Sequence, residues 1–564
     1  MNKNLFGEPQ SPTASRKKKE SSPVFKPYNQ DQMMLLPPSL DELIPEGHMV
    51  RVVNDTIDKL NIEPLFESYK GGGTSAYHPL MLLKVLVYAY ITKQYSVRQI
   101  AKALRENIHF MWLSGRSTPD FRTISNFRSG RLRGVIEDIF SSMVIFLQDN
   151  NYITLEDYFV DGTKYGANAH KHKVVWAKST ERYKKLVLQR IKELLDYINA
   201  LNVEEDKRYG DRDLSELGQE SSLTSEKMRE QVEELNEIIR ELAAKSEDSV
   251  REISSTISRT ESEDSTEEEK PSPIPRLNRG IKRAVKKLKE RLLPKLEKYE
   301  RQEELLRGRN SYSRTDPDAT VFRTKSGDLI PAYNIIVGSQ NQFIINYTFH
   351  QQKGSEGDGF IPHMRAYYER YCCYPVRAIG DSAYGSEENY AFLDGHKIGN
   401  YLKYPTYHQE QRNKHRRNPY TKDKFRYDEG ADTYECPQGR KLVLRQIREE
   451  NTVNGYTQTL RVYQCEDCSG CPVAKECKRG EGNRTIQVNR RLEGYRAQAR
   501  ENLSSGRGKL LRILRNIDIE SVFGDIKFNQ MFSRFMLRGQ EKVKVEFGLV
   551  GIAHNMKKMA LWGT

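Results

Sequence analysis

The chain predicts a mixed α/β fold, and three features of its sequence carry that expectation. Two short apolar runs, Tyr158-Phe159-Val160 and Val376-Arg377-Ala378-Ile379, each close on a carboxylate, Asp161 and Asp381, with glycine beside it. Buried strands end this way where the chain turns. Residues 319–324, 333–337 and 343–349 read as three antiparallel strands, divided by turns at Gly327-Asp328 and Gln340-Asn341-Gln342. Around them run long stretches of helical period, the last of which, over 517–527, again bears an acid, Glu520.

At 564 residues the chain is too long for one core, and about three to five units are expected. The formal net charge is +14 and the pI about 9.1. Residues 201–270 are strongly acidic, so the remainder is more basic still. A basic body with one acidic appendage suits a polyanionic partner such as DNA. No run of about 18 apolar residues marks a membrane span. The start, Met1-Asn2-Lys3-Asn4, has no apolar core of an export signal. Seven cysteines, five of them clustered, read as metal ligands in a reducing compartment, not as a disulfide framework.

Residues 1–30 hold Pro, Ser and the run Arg16-Lys17-Lys18-Lys19, and are expected to form a disordered basic tail. Residues 31–150 read as a helical unit. Its almost continuously apolar stretch from Leu80 to Tyr90 is a central helix, and Ser96 is the expected cap of the next. A further helix follows Thr118-Pro119-Asp120. Helix, break, helix, with Arg98, Arg122, Asn126 and Arg128 available, is the pattern of a helix-turn-helix that enters the major groove. Helical bundles that bind nothing share it.

Past Asp161, the residues Lys164, Asn168, His170, Lys171, His172 and Lys173 offer a phosphate site or an exposed basic turn. Residues 178–310 read as a helical insertion, disordered near 245–275, where Ser, Thr, Glu and Pro dominate. Three apolar stripes mark its helices: Tyr183 to Leu201, Met228 to Leu242 and Ile281 to Tyr299. The first leaves the sheet and the third returns, so these two must run antiparallel. The middle helix is acidic and the third basic, which suggests that one docks on the other.

After the three strands come a helix at 360–372, the Asp381 strand, a helix at 387–393 and a strand at 401–404. Between Asp381 and Glu520 lie 138 residues, so a second insertion, over 426–500, is expected. It contains Cys436 and then Cys465-x2-Cys468-x2-Cys471-x5-Cys477. Thiolates at this spacing bind one tetrahedral ion, and soft sulfur favours Zn²⁺. Five candidates compete for four places. An iron–sulfur cluster and unliganded thiols are the alternatives. Cys372 and Cys373 are expected at a packed helix end.

Two aspartates at strand ends and a glutamate on a packed helix make a metal site plausible. Hard oxygen donors without His or Cys favour Mg²⁺ or Mn²⁺, and two such ions support phosphodiester cleavage. At 100° per residue Glu520 and Lys527 share one helix face, while Asp518 and Asp525 point elsewhere. Ile519, Val522, Phe523 and Ile526 flank that face and can pack on a sheet.

The order Asp161, Asp381, Glu520, with Glu-x6-Lys on the last helix, resembles the DDE transposases of bacterial insertion sequences. Asp316-Pro317-Asp318-Ala319, Gly380-Asp381-Ser382-Ala383-Tyr384-Gly385, Phe532-Ser533-Arg534-Phe535-Met536-Leu537-Arg538-Gly539 and Ala553-His554-Asn555-Met556-Lys557-Lys558 extend the likeness over most of 31–177 and 311–562. One departure stands out. Many relatives carry Tyr-x2-Arg-x3-Glu before the glutamate; here Ile513 and Asn516 hold the Tyr and Arg places, with Arg512 and Arg515 nearby.

The resemblance implies a ribonuclease H-like catalytic domain from 151–177, 311–425 and 501–564, with an InsH-type DNA-binding domain before it. It implies two Mg²⁺ or Mn²⁺ ions on Asp161, Asp381 and Glu520. Lys527, Arg512, Arg515, Arg534 and Arg538 would lie on DNA phosphates. Double-stranded DNA, as terminal inverted repeats and as target, would be the partner of a homodimer at the bacterial nucleoid. A nuclease without strand transfer and a catalytically dead DNA-binding protein are the rival readings.

Overall fold

The computed structural model describes residues 39–69, 76–209, 224–234, 236–237, 240, 279–324, 327–351, 356–478 and 480–562. The expected disorder at 1–30 and near 245–275, and the stripe positions Leu235, Ile239 and Leu242, lie outside these residues. The chain divides into two compact units, Met1–Pro45 and Glu46–Thr564. In the first, the described stretch is a short turn in which Glu42 N donates to Ser39 Oγ at 3.3 Å. All remaining elements belong to the second.

The amino-terminal helices are α1 (Met49–Ile57), α2 (Glu63–Glu67), α3 (Pro79–Ile91), α4 (Val97–Glu106), α5 (Ile108–Leu113), α6 (Phe121–Asn126) and α7 (Ile136–Asp149). α3 is apolar on every side and is buried without a break from Leu82 to Tyr90. Its one charge, Lys84, donates to Asn54 Oδ1 and Asp58 Oδ2, each at 2.7 Å. Asp120 caps α6, accepting from Thr123 N at 2.8 Å. Ser96, the expected cap of α4, makes no such bond. A wide turn over Phe127–Arg131 carries Arg128 inward, where it donates to Tyr95 O at 2.8 Å and Tyr90 Oη at 3.3 Å.

β1 (Asp157–Gly166) leads to β2 (Val174–Trp176), which pairs with β3 (Ser311–Ser313) at the base of the helical insertion. The insertion runs out along α8 (Ala177–Tyr209). It returns through α9 (over 225–234), α10 (Arg279–Lys287), a wide turn at Leu288–Leu292 and α11 (Leu293–Leu306). It has a core of its own, in which Ile191 and Ile198 of α8 meet Met228 and Val232 of α9 and Val285 and Leu296 of the returning arm. Thr180 reaches Gln302 at 3.2 Å and Tyr183 stacks on Tyr299, so α8 and α11 run antiparallel, as the stripes require. One ion pair joins the middle helix to the returning arm in the opposite sense of charge, Arg229 of α9 with Glu297 of α11.

Beyond β3 the chain forms β4 (Thr320–Arg323), β5 (Leu329–Gln340), β6 (Phe343–Phe349), α12 (Phe360–Tyr371), β7 (Arg377–Gly380), α13 (Glu387–Gly395) and β8 (Gly399–Leu402). The main sheet has the order β4-β5-β1-β7-β8, with β6 also on β5. β1 is antiparallel to β5 and parallel to β7, and β7 is parallel to β8. Two short helices, α14 (Tyr407–Glu410) and α15 (Asn413–Arg417), lead into the second insertion. This is a five-stranded antiparallel sheet of β9 (Arg426–Asp428), β10 (Thr433–Glu435), β11 (Lys441–Asn451), β12 (Thr457–Cys465) and β13 (Thr485–Val488). The one-turn helix α16 (Ala474–Cys477) lies between the last two strands.

Three helices close the chain: α17 (Arg490–Ser504), α18 (Gly506–Gly524) and α19 (Gln540–Trp562). α18 packs on β1, β5 and β7, burying Ile519 and Val522. Asp518 points away from Glu520, as its place on the wheel requires, and accepts from Ser339 Oγ at 2.6 Å and Gln342 N at 3.0 Å. Burial pushes its carboxyl up to about 6. α19 packs on α3, α7 and β6, so the amino-terminal helices and the main sheet share one helix as a common wall. The Asp316-Pro317-Asp318 block anchors its start. Asp316 accepts from Tyr333 Oη at 2.9 Å and Gly539 N at 3.1 Å, and Asp318 from Gln540 N at 2.9 Å.

The end of α18 is tied to α19 by Asp525, which accepts from His554 Nδ1 and Lys557 Nζ at 3.0 Å each and from Gln530 Nε2 at 2.6 Å. Burial alone would raise this carboxyl, but the bonds from His554, Gln530 and Lys557 outweigh it and hold the group below the usual carboxylate range. A folded-state pKa below the unfolded value adds stability at pH above about 4, and that stability is lost as pH falls below it. Asp525→Asn should therefore cost about 1.5–3 kcal/mol at neutral pH. The gap to wild type should narrow in denaturant titrations below about pH 4; a gap independent of pH would contradict the assignment. In the helical insertion, Leu296→Ala removes a side chain that is 0% exposed and should cost about 2–5 kcal/mol, read as a shift of the denaturation midpoint.

Candidate active site

Strand register decides which side chains meet at the carboxyl ends of the parallel strands. Val160 of β1 pairs with Gly380 of β7, and Gly380 with Leu402 of β8. One residue further on, Asp161, Asp381 and Lys403 stand side by side across three strands, with Lys403 N donating to Gly380 O at 3.3 Å. Ligand sites of open α/β sheets lie at this edge.

Asp161 is largely enclosed. Burial, with Asp381 and Glu356 nearby, pushes its carboxyl up to about 6, against the pull of Arg515 and of the Gly162 N–H. Arg515 Nη2 lies 2.8 Å from Asp161 Oδ2, and Arg515 Nη1 lies 3.9 Å from Glu520 Oε1. The guanidinium thus stands between the strand-end aspartate and the helix glutamate. Its side chain is 6% exposed, against 60% for Glu520. Asp381 accepts from Ser382 N at 2.6 Å and caps the turn after β7.

A further acid sits on the opposite face of β1. Glu356 pairs with Lys164 at 3.1 Å and approaches Gly162 so closely that a Cβ there would lie 3.0 Å from Glu356 Oε2 and 3.3 Å from Tyr384 Oη. Tyr384 is buried and its hydroxyl has no hydrogen-bond partner. Among the described residues, no group of three His, Cys, Asp or Glu side chains stands so that it could hold a metal ion. The donors at this edge are oxygen only, from Asp161 and Asp381 with Glu520 beside them, and that chemistry fits Mg²⁺ or Mn²⁺.

Lys527 departs from its expected place. The α-helix gives way at Asp525–Asn529 to a wider π-helical turn, so the seven-residue spacing from Glu520 no longer keeps one face. Lys527 instead donates to Thr163 Oγ1 and lies over the Tyr165 ring, 4.9 Å from its centre. Arg534 and Arg538 each use Nε to hold the chain after β1, on Ala167 O at 3.1 Å and Asn168 O at 2.7 Å. Arg512 lies over Tyr407 at 5.5 Å. Arg98 and Arg122 flank Phe121 on the outer side of α4 and α6, and Asn126 is exposed with them. Arg128 is 4% exposed and faces inward, which removes it from any surface contact.

Lys403 and Glu356 carry no motif of their own and were not singled out in the sequence, and Tyr384 entered only as part of the block around Asp381. The strand register would have found Lys403, because it follows Leu402 as Asp381 follows Gly380.

The five clustered cysteines, Cys436, Cys465, Cys468, Cys471 and Cys477, line one pocket, and none of the seven in the chain is in a disulfide. Cys465 is buried in β12 and donates to Asp467 O at 3.3 Å, while Cys468 Sγ accepts from Arg484 N at 3.3 Å. Burial raises the Cys477 thiol, Arg484 draws it down, and Cys436, Cys468 and Cys471 push it up again. Cys372 and Cys373, expected at a packed helix end, are exposed past α12.

Comparison with known families gives two matches. Residues 38–130, the helices α1 to α6, match a family described as Transposase domain (DUF772). Residues 435–560, which hold the cysteine cluster, Glu520 and α19, match one described as Transposase DDE domain. Asp161 and Asp381 lie outside both. No curated protein and no solved structure matches the chain. The two transposase matches, one towards each end, support a DDE transposase of an insertion sequence.

Proposed function

We propose that this transposase cuts DNA at the ends of a mobile element and joins the freed ends to target DNA, using Asp161, Asp381 and Glu520 in a ribonuclease H-like core. The observation that supports this most is the register that sets Asp161 beside Asp381, with Glu520 on the helix packed across them. The sheet order, antiparallel on one side of β1 and parallel on the other, agrees with that core. In this reading water attacks first to free a 3′-hydroxyl, and that hydroxyl then attacks the target phosphodiester. Divalent ions held by the three carboxylates would activate the attacking oxygen and neutralise charge on the leaving one. Arg515 neutralises Asp161 and Glu520 in the free chain, and its side chain must turn aside when they take up cations. The exposed Arg98, Arg122 and Asn126 meet the DNA, and two copies of the chain act on paired ends.

DNA carrying the flanking ends of the element, with Mg²⁺, tests the reading. Wild type should nick it to a 3′-hydroxyl and join the product to a second duplex. Ala at Asp161, Asp381 or Glu520 should abolish cleavage while DNA affinity changes by less than about threefold. Cleavage without joining would make the protein a nuclease, and cleavage by all three variants would remove the carboxylates from the mechanism.

The cysteine pocket is proposed as a structural Zn²⁺ site of Cys436, Cys468, Cys471 and Cys477, with Cys465 spare. The support is that all five thiols line one pocket and that Cys465, although Cys468 and Cys436 also act on it, is the one that donates to a backbone carbonyl. Elemental analysis should find about one zinc per chain, retained in Cys465→Ala and lost in Cys468→Ala. Absence of zinc and iron, with all seven thiols titrating under native conditions, would refute the site.

A further inference from the structure

The cations around the strand-end carboxylates are nearly all engaged. Arg515 pairs with Asp161, Lys164 with Glu356 and Lys557 with Asp525. Lys527 donates to Thr163, and Arg534 and Arg538 hold backbone carbonyls. Among the described residues Arg512 has only the ring of Tyr407, 5.5 Å away, and Lys403 has no partner of either kind. It is 9% exposed, yet among the described residues its ammonium makes no hydrogen bond or ion pair. The nitrogen is also absent from the fully enclosed unpartnered atoms, so a buried stem carries a tip that reaches solvent.

Its position is fixed from two sides. Leu402 pairs with Gly380, and the turn after Asp381 closes over Lys403 so tightly that a Cβ at Gly385 would lie 2.2 Å from Lys403 O. Asp381 and Glu520 draw on the ammonium, and Arg515 and Arg512 oppose it, so all five groups share one neighbourhood. Neighbours in the strand row are one strand spacing apart, ~4.8 Å. A phosphodiester brought to Asp381 therefore presents an oxygen to Lys403. Burial of the Lys403 stem partly strips water from the ammonium and draws its pKa down, and an anionic ligand offsets that cost.

We propose that Lys403 binds a non-bridging oxygen of the scissile phosphodiester, the place that the family resemblance assigns to Lys527. The assignment rests on the transposase reading above. It makes the row across β1, β7 and β8 a single device, two carboxylates and then an ammonium. Lys527 becomes a brace between α18 and β1.

The test compares wild type, Lys403→Met and Lys403→Arg as full-length protein on DNA carrying the element ends. Lys403→Met should lower the single-turnover cleavage rate about 100-fold, with Lys403→Arg recovering most of it. Without divalent ions, the slope of log affinity against log salt should fall by about one in Lys403→Met and stay at the wild-type value in Lys403→Arg. Both variants should melt within about 2 °C of wild type. A Lys403→Met protein that cuts at the wild-type rate, or one that loses rate with an unchanged salt slope, overturns the assignment while wild-type cleavage keeps the transposase reading. If wild type itself leaves the DNA intact, the transposase reading falls and the Lys403 assignment with it.

Discussion

The two-sided pairing of β1 is the constraint on which the rest depends. Antiparallel bonding to β5 on one edge and parallel bonding to β7 on the other leave this strand no freedom of register. A slip by one residue would send Asp161 to the face held by α12 and Gly162 to the face held by α18. The site would then lose its first carboxylate and the sheet its close approach at Glu356. Both aspartates inherit their positions from hydrogen bonds made by apolar neighbours, and the helix that carries Glu520 is set by Asp518 on the β5–β6 turn.

Charge at this edge is balanced internally. Arg515 stands between Asp161 and Glu520, both already drawn towards one another by the packing of α18. Without it, a buried aspartate beside a second would be expensive to keep ionised. A buried arginine here lets the acids be built into a stable fold, while Glu520 keeps enough exposure to change partner.

Much of this was legible in the sequence, because the signals were local. An apolar run ending at Asp-Gly, a turn at Gln340-Asn341-Gln342 and three stripes of helical period each declare one element, and each is present among the described residues, the second stripe as far as residue 234. The family resemblance joined the three acids across 219 and 138 intervening residues. What stayed hidden depends on departures from ideal geometry or on pairing. Arg128 and Lys527 lie on or just beyond wide turns that a 3.6-residue wheel does not anticipate. That Arg534 and Arg538 each give Nε to a backbone carbonyl could not be read from the sequence. Lys403 is invisible until two strands are laid side by side.

The sharing of α19 between the amino-terminal helices and the main sheet has a consequence for how the protein comes into being. α3 is apolar all round, and one of its faces waits for a helix made hundreds of residues later. During synthesis that face has nothing of its own to cover it, so the amino-terminal region cannot settle as an independent body ahead of the rest. A chain interrupted before α19 lacks both the wall of its sheet and the cover of its first helices, and so leaves apolar faces of both open to water.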